Sequence, residues 1–182
     1  MLAELEGNII LDYIEKLIIS LDEVRAQEEK LKEAAWMLKD KDLVLTIGNG
    51  GSSSTAQHLA QGLCDAGIRA ICLTDNTSLF TALSNDEGYW EALSLQVKLF
   101  ANDKRDIVTI AISASGNSPN ILNAVRVSNE EGVKTIGLIG FGGGSLKGIV
   151  DIPIILSSKD YGVVEDTHLA ICHILCKLVK SE

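Results

Sequence analysis

The chain has 182 residues, a formal net charge of -9 and 46% hydrophobic residues, which suffices for the core of one α/β domain and is short for two. Its acidic balance argues against nucleic acid or an anionic membrane as the main partner, because both would repel it. The acidic N-terminus and the lack of an apolar run of about 18 residues predict a cytoplasmic protein. The four cysteines lie in apolar contexts without C-x-x-C spacing, and we expect reduced, buried thiols.

Residues 3–39 carry apolar side chains at helical spacing without proline, which predicts two helices with a break near Asp22. After residue 40 come five short apolar runs rich in β-branched residues, namely LVLTIG, AICLT, IVTIAIS, KTIGLIG and IPIILS. Such runs are typical of strands buried on both faces, which predicts an α/β fold with a parallel sheet between helix layers. We expect one domain over residues 1–182, with a helical arm at 1–40 and the α/β core at 41–182.

The first of these runs ends in a turn rich in glycine and serine, at residues 48–55. Its glycines allow close backbone approach, and its hydroxyls lie beside the free N–H groups of a predicted helix, which together favour an anion such as phosphate. The turn lacks the G-K-[ST] of a Walker A loop, and Ser53 stands where a dinucleotide fingerprint has its third glycine. A serine-capped turn without a ligand is the alternative.

The third run ends in a second turn of the same kind, ISASGNSPN. Here Ser113, Ser115 and Ser118 surround Gly116 directly before an amphipathic helix. Ligands of parallel sheets bind at the carboxyl ends of the strands, so the two turns could hold one phosphorylated small molecule from two sides. Few lysines or arginines lie nearby, and the binding would therefore come from hydroxyls, backbone amides and helix dipoles.

Six segments in this order resemble the sugar isomerase (SIS) domain family, and within it the phosphoheptose isomerases: GNGGS, AQHLA, SNDEG, ISASGNS, LIGFGGG and VEDTHLAICHIL. The resemblance implies a flavodoxin-like five-stranded parallel sheet, a homotetramer and the isomerisation of sedoheptulose 7-phosphate to an aldoheptose 7-phosphate. It assigns substrate binding to Asn49, Gly50, Gly51, Ser52, Asn85, Asp86, Ser113, Ala114, Ser115, Ser118 and Glu165. Ala114 replaces a threonine common in the family.

The resemblance also implies a catalytic metal site, since the family's chemistry is attributed to a glutamate and a histidine beside zinc. The matching positions are His58, Gly62, Glu165 and His173, of which glycine cannot be a ligand. Gly62 removes the family's carboxylate, while Glu165 stands where the family usually has glutamine. We therefore expect Glu165 as the base, His173 as the acid, and His58, Glu165 and His173 as ligands of a zinc ion, with no organic cofactor.

Two hypotheses follow from this exchange of side chains. The first is an isomerase of a seven-carbon or similar sugar phosphate, favoured by His58, Glu165 and His173; a shorter ketose phosphate is a variant of it. The second is a non-catalytic phosphosugar-binding or assembly protein, like the SIS protein that associates with the bacterial replication initiator, and Gly62 favours it. His168 and the pair Cys172 and Cys176 are interpreted as packing residues of the last helix.

Overall fold

A computed structural model describes residues 2–102 and 106–180 of the chain. Its helices are α1 (Leu2–Arg25), α2 (Glu28–Leu38), α3 (Gly51–Asp65), α4 (Thr77–Asp86), α5 (Ala92–Ala101), α6 (Pro119–Glu130) and α7 (Tyr161–Lys180). Its strands are β1 (Leu43–Ile47), β2 (Ala70–Cys72), β3 (Ile107–Ser113), β4 (Lys134–Ile139) and β5 (Ile152–Ile155). Two short 3-10 turns, Phe141–Gly143 and Leu146–Gly148, lie between β4 and β5. The predicted ranges also include residues 1, 103–105 and 181–182, which lie outside the described part.

The five predicted apolar runs form one parallel sheet with the strand order β2-β1-β3-β4-β5. This is the flavodoxin-like order, and the predicted fold class is confirmed. Strands β1 and β3 are neighbours in the sheet but are separated in sequence by α3, β2, α4 and α5. The order of the strands therefore reverses between β1 and β3, which is where such sheets bind their ligands.

Each face of the sheet is covered by its own hydrophobic cluster. Alternate residues of β1 point to opposite faces, so Val44 packs into one cluster while Leu45 and Ile47 pack into the other. The first cluster contains apolar residues of α2, α3 and α7, and the second contains those of α5 and α6. Because α3 and α7 lie side by side on one face, both begin near the carboxyl ends of the strands.

The arm consists of α1 and α2, and its break lies at residues 26–27 rather than near Asp22. At the break, the Gln27 side chain donates to the Ile155 carbonyl over 2.8 Å and accepts from the Ile155 N–H over 2.9 Å. The arm is also joined to α7, because the Tyr13 hydroxyl donates to Asp166 over 2.7 Å, a hydrogen bond that raises the pKa of Tyr13 to about 12. Contacts far along the chain thus set the break, and local periodicity could not locate it.

The four cysteines are free, but they are not uniformly buried as expected. Cys72 and Cys172 are buried, Cys176 is partly buried and Cys64 is exposed. Cys64 lies on the solvent side of α3, whereas the apolar residues beside it in the sequence face the core. Within residues 2–102 and 106–180, we find no helix with the combined length and apolarity that crossing a membrane requires.

Candidate functional site

The two glycine- and serine-rich turns lie at the carboxyl ends of β1 and β3 and line one cleft, which we call the cradle. The cradle has a volume of about 110 Å³ and is lined by Asn49, Ser52, Ile112, Ser113, Ala114, Ser115, Ser118, Tyr161 and Glu165. This volume is below the roughly 300–1,000 Å³ of most small-molecule sites. The cradle can therefore hold a phosphate group and its nearest atoms, and the rest of a sugar phosphate must extend beyond it.

The first wall of the cradle is the start of α3. Gly50 precedes the helix with a φ of +53°, a left-handed conformation that favours glycine, and no side chain caps this end. The buried Ser52 of the first turn faces the cradle. Free N–H groups and the positive end of the helix dipole therefore point towards an anion bound here.

The second wall is the loop between β3 and α6. The Ser113 hydroxyl accepts from the Gly116 N–H over 3.1 Å, and the Ser115 hydroxyl accepts from the Asn117 N–H over 3.2 Å. Both hydroxyls are thereby held in place and keep their own protons for donation to a ligand. Ser118 is the N-cap residue of α6, yet its side chain makes no capping hydrogen bond, so this hydroxyl also remains available.

A carboxylate forms the third wall of the cradle. The Glu165 side chain from the second turn of α7 lies directly over the Cα atom of Gly51, so that any Cβ there would overlap the carboxylate. Glu165 therefore occupies the positive end of α3, where a negative charge is stabilised. The serine loop at the end of β3 contributes no acidic side chain to the cradle, so it could hold an anion apart from the Glu165 carboxylate.

One further wall was not predicted from the sequence. Tyr161, the first residue of α7, lines the cradle, and its ring packs edge-on against Phe141 with 4.8 Å between the ring centres. Phe141 has a φ of +52°, which is unusual for an aromatic residue. Phe141 belongs to the LIGFGGG segment, but no role was assigned to it or to Tyr161, because their contact joins positions 20 residues apart in the sequence.

The two histidines expected at the site lie in a second cleft further along α3 and α7, which we call the groove. The rings of His58 and His173 are both exposed and meet edge-on, with 4.9 Å between their centres. The groove has a volume of about 240 Å³ and is lined by His58, Leu59, Gln61, Gly62, Asp65, Cys172, His173, Cys176, Lys177 and Lys180. Neither histidine lines the cradle.

The position of the missing carboxylate is filled by a thiol. A Cβ on Gly62 would lie 2.8 Å from the Cys176 sulfur, so Cys176 occupies the space that a side chain at residue 62 would need. Burial raises the pKa of the Cys176 thiol, and it raises that of the neighbouring Cys172 more strongly. Both cysteines are therefore protonated packing residues at neutral pH.

The expected zinc ligands are divided between the two clefts. His58 and His173 are adjacent in the groove, whereas Glu165 lies in the cradle over Gly51. Among the residues that the structure describes, no three histidine, cysteine or acidic side chains are grouped closely enough to hold a metal ion. The set of three predicted from the resemblance thus does not fit a zinc site within one chain.

Two predicted substrate contacts, Asn85 and Asp86, lie outside the cradle. They end α4, are exposed, and bond to each other over 2.8 Å from the Asn85 amide to the Asp86 carboxylate. The polar residues that border the cradle here are Asn49 and its two hydrogen-bonded partners, Asn120 and Tyr89. Neither partner was predicted, since both are distant from Asn49 in sequence.

His168 takes no part in either cleft, as expected for a packing residue. Its ring is fully buried on α7, and neither ring nitrogen has a hydrogen-bond partner among the described residues. Burial lowers the pKa of His168 to about 3, so the ring is neutral at any physiological pH.

Comparison with known proteins places these features in a family. A family model described as SIS domain matches residues 12–140. The chain is 42% identical over 144 residues to a phosphoheptose isomerase of Trichlorobacter lovleyi, covering 76% of this chain and 72% of the relative. It is 37% identical over 175 residues to that of Aliarcobacter butzleri, covering 93% and 90%. Its structure matches phosphoheptose isomerase GmhA from Neisseria gonorrhoeae with a TM-score of 0.89 at 27% identity, over 98% and 100% of the chains.

Proposed function

Because the chain belongs to the SIS-domain family and, within it, to the phosphoheptose isomerases, we propose that it interconverts sedoheptulose 7-phosphate and D-glycero-D-manno-heptose 7-phosphate. The reaction is an aldose-ketose isomerisation, in which a proton moves between C1 and C2 through an enediolate. The observation that supports it best is the cradle, where two glycine- and serine-rich turns meet beside one carboxylate. A phosphate site and a base are the two parts that this reaction requires.

In this proposal the phosphate binds to the loop of Ser113, Ser115 and Ser118 and to the first turn of α6. The Glu165 carboxylate removes a proton from C1 of the ketose, and the electron pair moves onto the carbonyl oxygen as the enediolate forms. The acid then protonates the C2 oxygen, the C1 hydroxyl loses its proton as the new C1 carbonyl forms, and Glu165 returns a proton to C2. The oxygen's negative charge needs hydrogen-bond donors. The free N–H groups at the start of α3 and the Asn49 amide border the cradle and can provide them.

His173 remains our proposal for the acid, aided by His58. The cradle is too small for a whole heptose phosphate, so the sugar must extend from it. His58 follows Gly51 by seven residues, or about 10 Å along α3, and the reacting C1–C2 end of the sugar is the end farthest from the phosphate. A sugar that lies along α3 and α7, with its C1–C2 end between the two clefts, could be reached by Glu165 from the cradle and by His173 from the groove.

Zinc is a separate part of the proposal, which no step above uses. Among the described residues, the imidazoles of His58 and His173 are paired and no third metal-binding side chain is grouped with them, so an ion in the groove would need a further ligand from elsewhere. Metal analysis of the purified protein, before and after dialysis against a chelator, tests this. Stoichiometric zinc that is lost in His58→Ala would support the site, and a protein purified without metal that is fully active would overturn it.

The isomerase proposal is tested by incubating the protein with sedoheptulose 7-phosphate in deuterated water. We expect the aldoheptose 7-phosphate to form with one deuterium at C2, because the base exchanges its proton with solvent. Binding of the sugar phosphate without product and without exchange at C1 or C2 would overturn the proposal.

That second result would support the alternative function, a non-catalytic phosphosugar-binding or assembly protein. The observation that favours it is the thiol of Cys176 in the space of a side chain at Gly62. This packing leaves the groove without the carboxylate that the resemblance implies there. The cradle would be retained in either case.

We further propose a cytoplasmic homotetramer in which residues 1–40 serve subunit packing around a single domain. The support is an apolar surface on α1, whose side chains are at least 40% exposed: Ile9, Ile10, Leu11, Ile14, Ile18, Ile19 and Leu21. Exposed apolar surface of this extent marks an interface in most proteins. Light scattering should give four times the mass of the chain, and Ile14→Glu with Ile18→Glu should reduce it; an unchanged mass in that variant would overturn the assignment to α1.

A further inference from the structure

Asn49, at the border of the cradle, is held by two hydrogen-bonded partners. Its side chain forms a reciprocal pair with Asn120, donating over 2.9 Å and accepting over 2.8 Å, and Asn120 is buried. The hydroxyl of Tyr89 donates to the same Asn49 oxygen over 2.8 Å. The carbonyl oxygen of Asn49 therefore has both of its acceptor positions occupied.

This arrangement determines what Asn49 presents to a ligand. With its oxygen occupied and one N–H given to Asn120, Asn49 has one amide N–H for which the described residues provide no acceptor. Since the side chain lines the cradle, that N–H is the group it can offer to a ligand. Asn49 is thus a donor to an oxygen atom.

The reciprocal pair alone does not fix this orientation. If both carboxamides turned over, each would still donate one hydrogen bond and accept one, and the Asn49 oxygen would then face the cradle. Among the contacts of the described residues, Tyr89 alone distinguishes the two states. A phenolic hydroxyl donates more strongly than it accepts, so it favours the state in which the Asn49 oxygen faces Tyr89.

Tyr89 itself is held in place from the other side. It lies in the connection between α4 and α5, directly after Gly88, and its ring packs edge-on against Phe80 of α4 with 5.7 Å between the ring centres. No residue of α4 is buried, so few other contacts fix this helix. The hydrogen bond from the Tyr89 hydroxyl to Asn49 joins the region of α4 to the cradle.

We infer that Tyr89 is a positioning residue, which holds the Asn49 amide as a hydrogen-bond donor to an oxygen of the sugar. The inference rests on the proposed sugar phosphate site and adds a specificity element to it. Tyr89 acts on the sugar part of the ligand, whereas the serine loop binds the phosphate part. Removal of the Tyr89 hydroxyl should therefore affect the two parts differently.

The test is a double-mutant cycle of Tyr89→Phe and Asn49→Ala, read out by calorimetric binding of sedoheptulose 7-phosphate and of inorganic phosphate. We expect Tyr89→Phe to weaken sugar phosphate binding by roughly fivefold to tenfold, as for the loss of one hydrogen bond, and to leave phosphate binding unchanged. In the Asn49→Ala background, removal of the Tyr89 hydroxyl should have no further effect.

The matched control is Thr81→Val, which removes a hydroxyl of α4 that bonds only within the helix. Equal weakening of both ligands, additive effects, or an unchanged sugar phosphate affinity in Tyr89→Phe would each overturn the inference. Tyr89 is 48% exposed and phenylalanine keeps its ring contact, so we expect the variant to fold normally. Because binding needs no turnover, an inactive wild-type protein would contradict the proposed isomerase without changing this result.

Discussion

The cradle and the groove are both lined by α3 and α7, but different kinds of groups form them. The cradle consists of backbone turns and serines at the ends of buried strands, and its shape follows from the sheet. The groove consists of side chains in the middle of α3 and α7, including the exposed His58 and His173. A change of one side chain can remove a functional group from the groove, whereas the cradle depends on several elements together.

This difference means that a side-chain change in the groove can leave the cradle intact. At Gly62, the space that a side chain would need is filled by the Cys176 thiol, and the cradle is not affected by this packing. The carboxylate of this chain lies instead at Glu165, in the cradle. The proposed phosphate site and the proposed base are therefore neighbours in the cradle, and the groove contains neither.

The largest effect is expected from Glu165→Gln, which keeps the shape of the side chain and removes the base. We expect kcat to fall by about 10² to 10⁴, with unchanged affinity for inorganic phosphate. Coupled product assays and calorimetry measure the two quantities. The control is Glu130→Gln, which makes the same exchange at an exposed position of α6 outside both clefts and should keep wild-type activity. Activity within a factor of about three of wild type in Glu165→Gln would show that the base lies elsewhere.

A smaller loss is expected from Gly51→Ala, because the new methyl group overlaps the Glu165 carboxylate and displaces it. A displacement of about 1 Å can cost about 10² in rate, so we expect kcat to fall by that order with little change in melting temperature. Gly148→Ala is the matched control, since a Cβ there meets nothing within 4 Å. If both variants have the same activity, Glu165 does not act from this position.

In the groove, Gly62→Glu tests whether Cys176 excludes the family's carboxylate. The clash with the thiol should lower the free energy of unfolding by about 1–3 kcal/mol, and Cys176→Ala in the same chain should restore it. Denaturant titration of the single and double variants measures this. Phosphate affinity should stay unchanged in both, and an equally stable single variant would mean that Cys176 simply rotates away.

The smallest effect concerns His168, which belongs to neither cleft. Its pKa is lowered by burial to about 3, so the unfolded chain binds a proton below pH 6.5 that the folded protein does not. Stability is therefore fully present above pH 6.5 and falls as the pH decreases from there towards 3. Between pH 6.5 and 5 this group should cost about 2 kcal/mol, since each pH unit corresponds to about 1.4 kcal/mol.

His168→Leu should remove this loss, as measured by denaturant unfolding at pH 7 and pH 5. The same slope in His168→Leu and in the wild type would show that acid sensitivity arises from other groups.

The sequence predicted most of the fold, because runs such as IVTIAIS have only one stable environment, a strand covered on both sides. It also predicted the cradle, since glycine and serine at the end of a strand leave free N–H groups for an anion. It misplaced the break in the arm, which Gln27 sets by contact with Ile155. Local patterns contain no information on that pairing.

The side chains of the site were predicted less well than its backbone. Glu165 and His173 share one helix, yet the fold assigns them to different clefts, because eight residues correspond to about 12 Å along it. Tyr89 carries no motif, and Asn120, the last residue of the ISASGNSPN turn, was assigned no role; both approach Asn49 only in three dimensions. Residue spacing thus predicts which side chains share one element, but it does not predict which side chains of different elements come into contact.

The hydrogen bonds of Gln27 affect how copies of the chain can associate. Strand β5 is at the edge of the sheet, and an exposed edge can pair with a strand of another molecule. The carboxamide of Gln27 already satisfies both backbone groups of Ile155, as a neighbouring strand would. A strand of another molecule therefore cannot pair with Ile155 while Gln27 is bound there, so edge-to-edge growth into fibrils is disfavoured at this position.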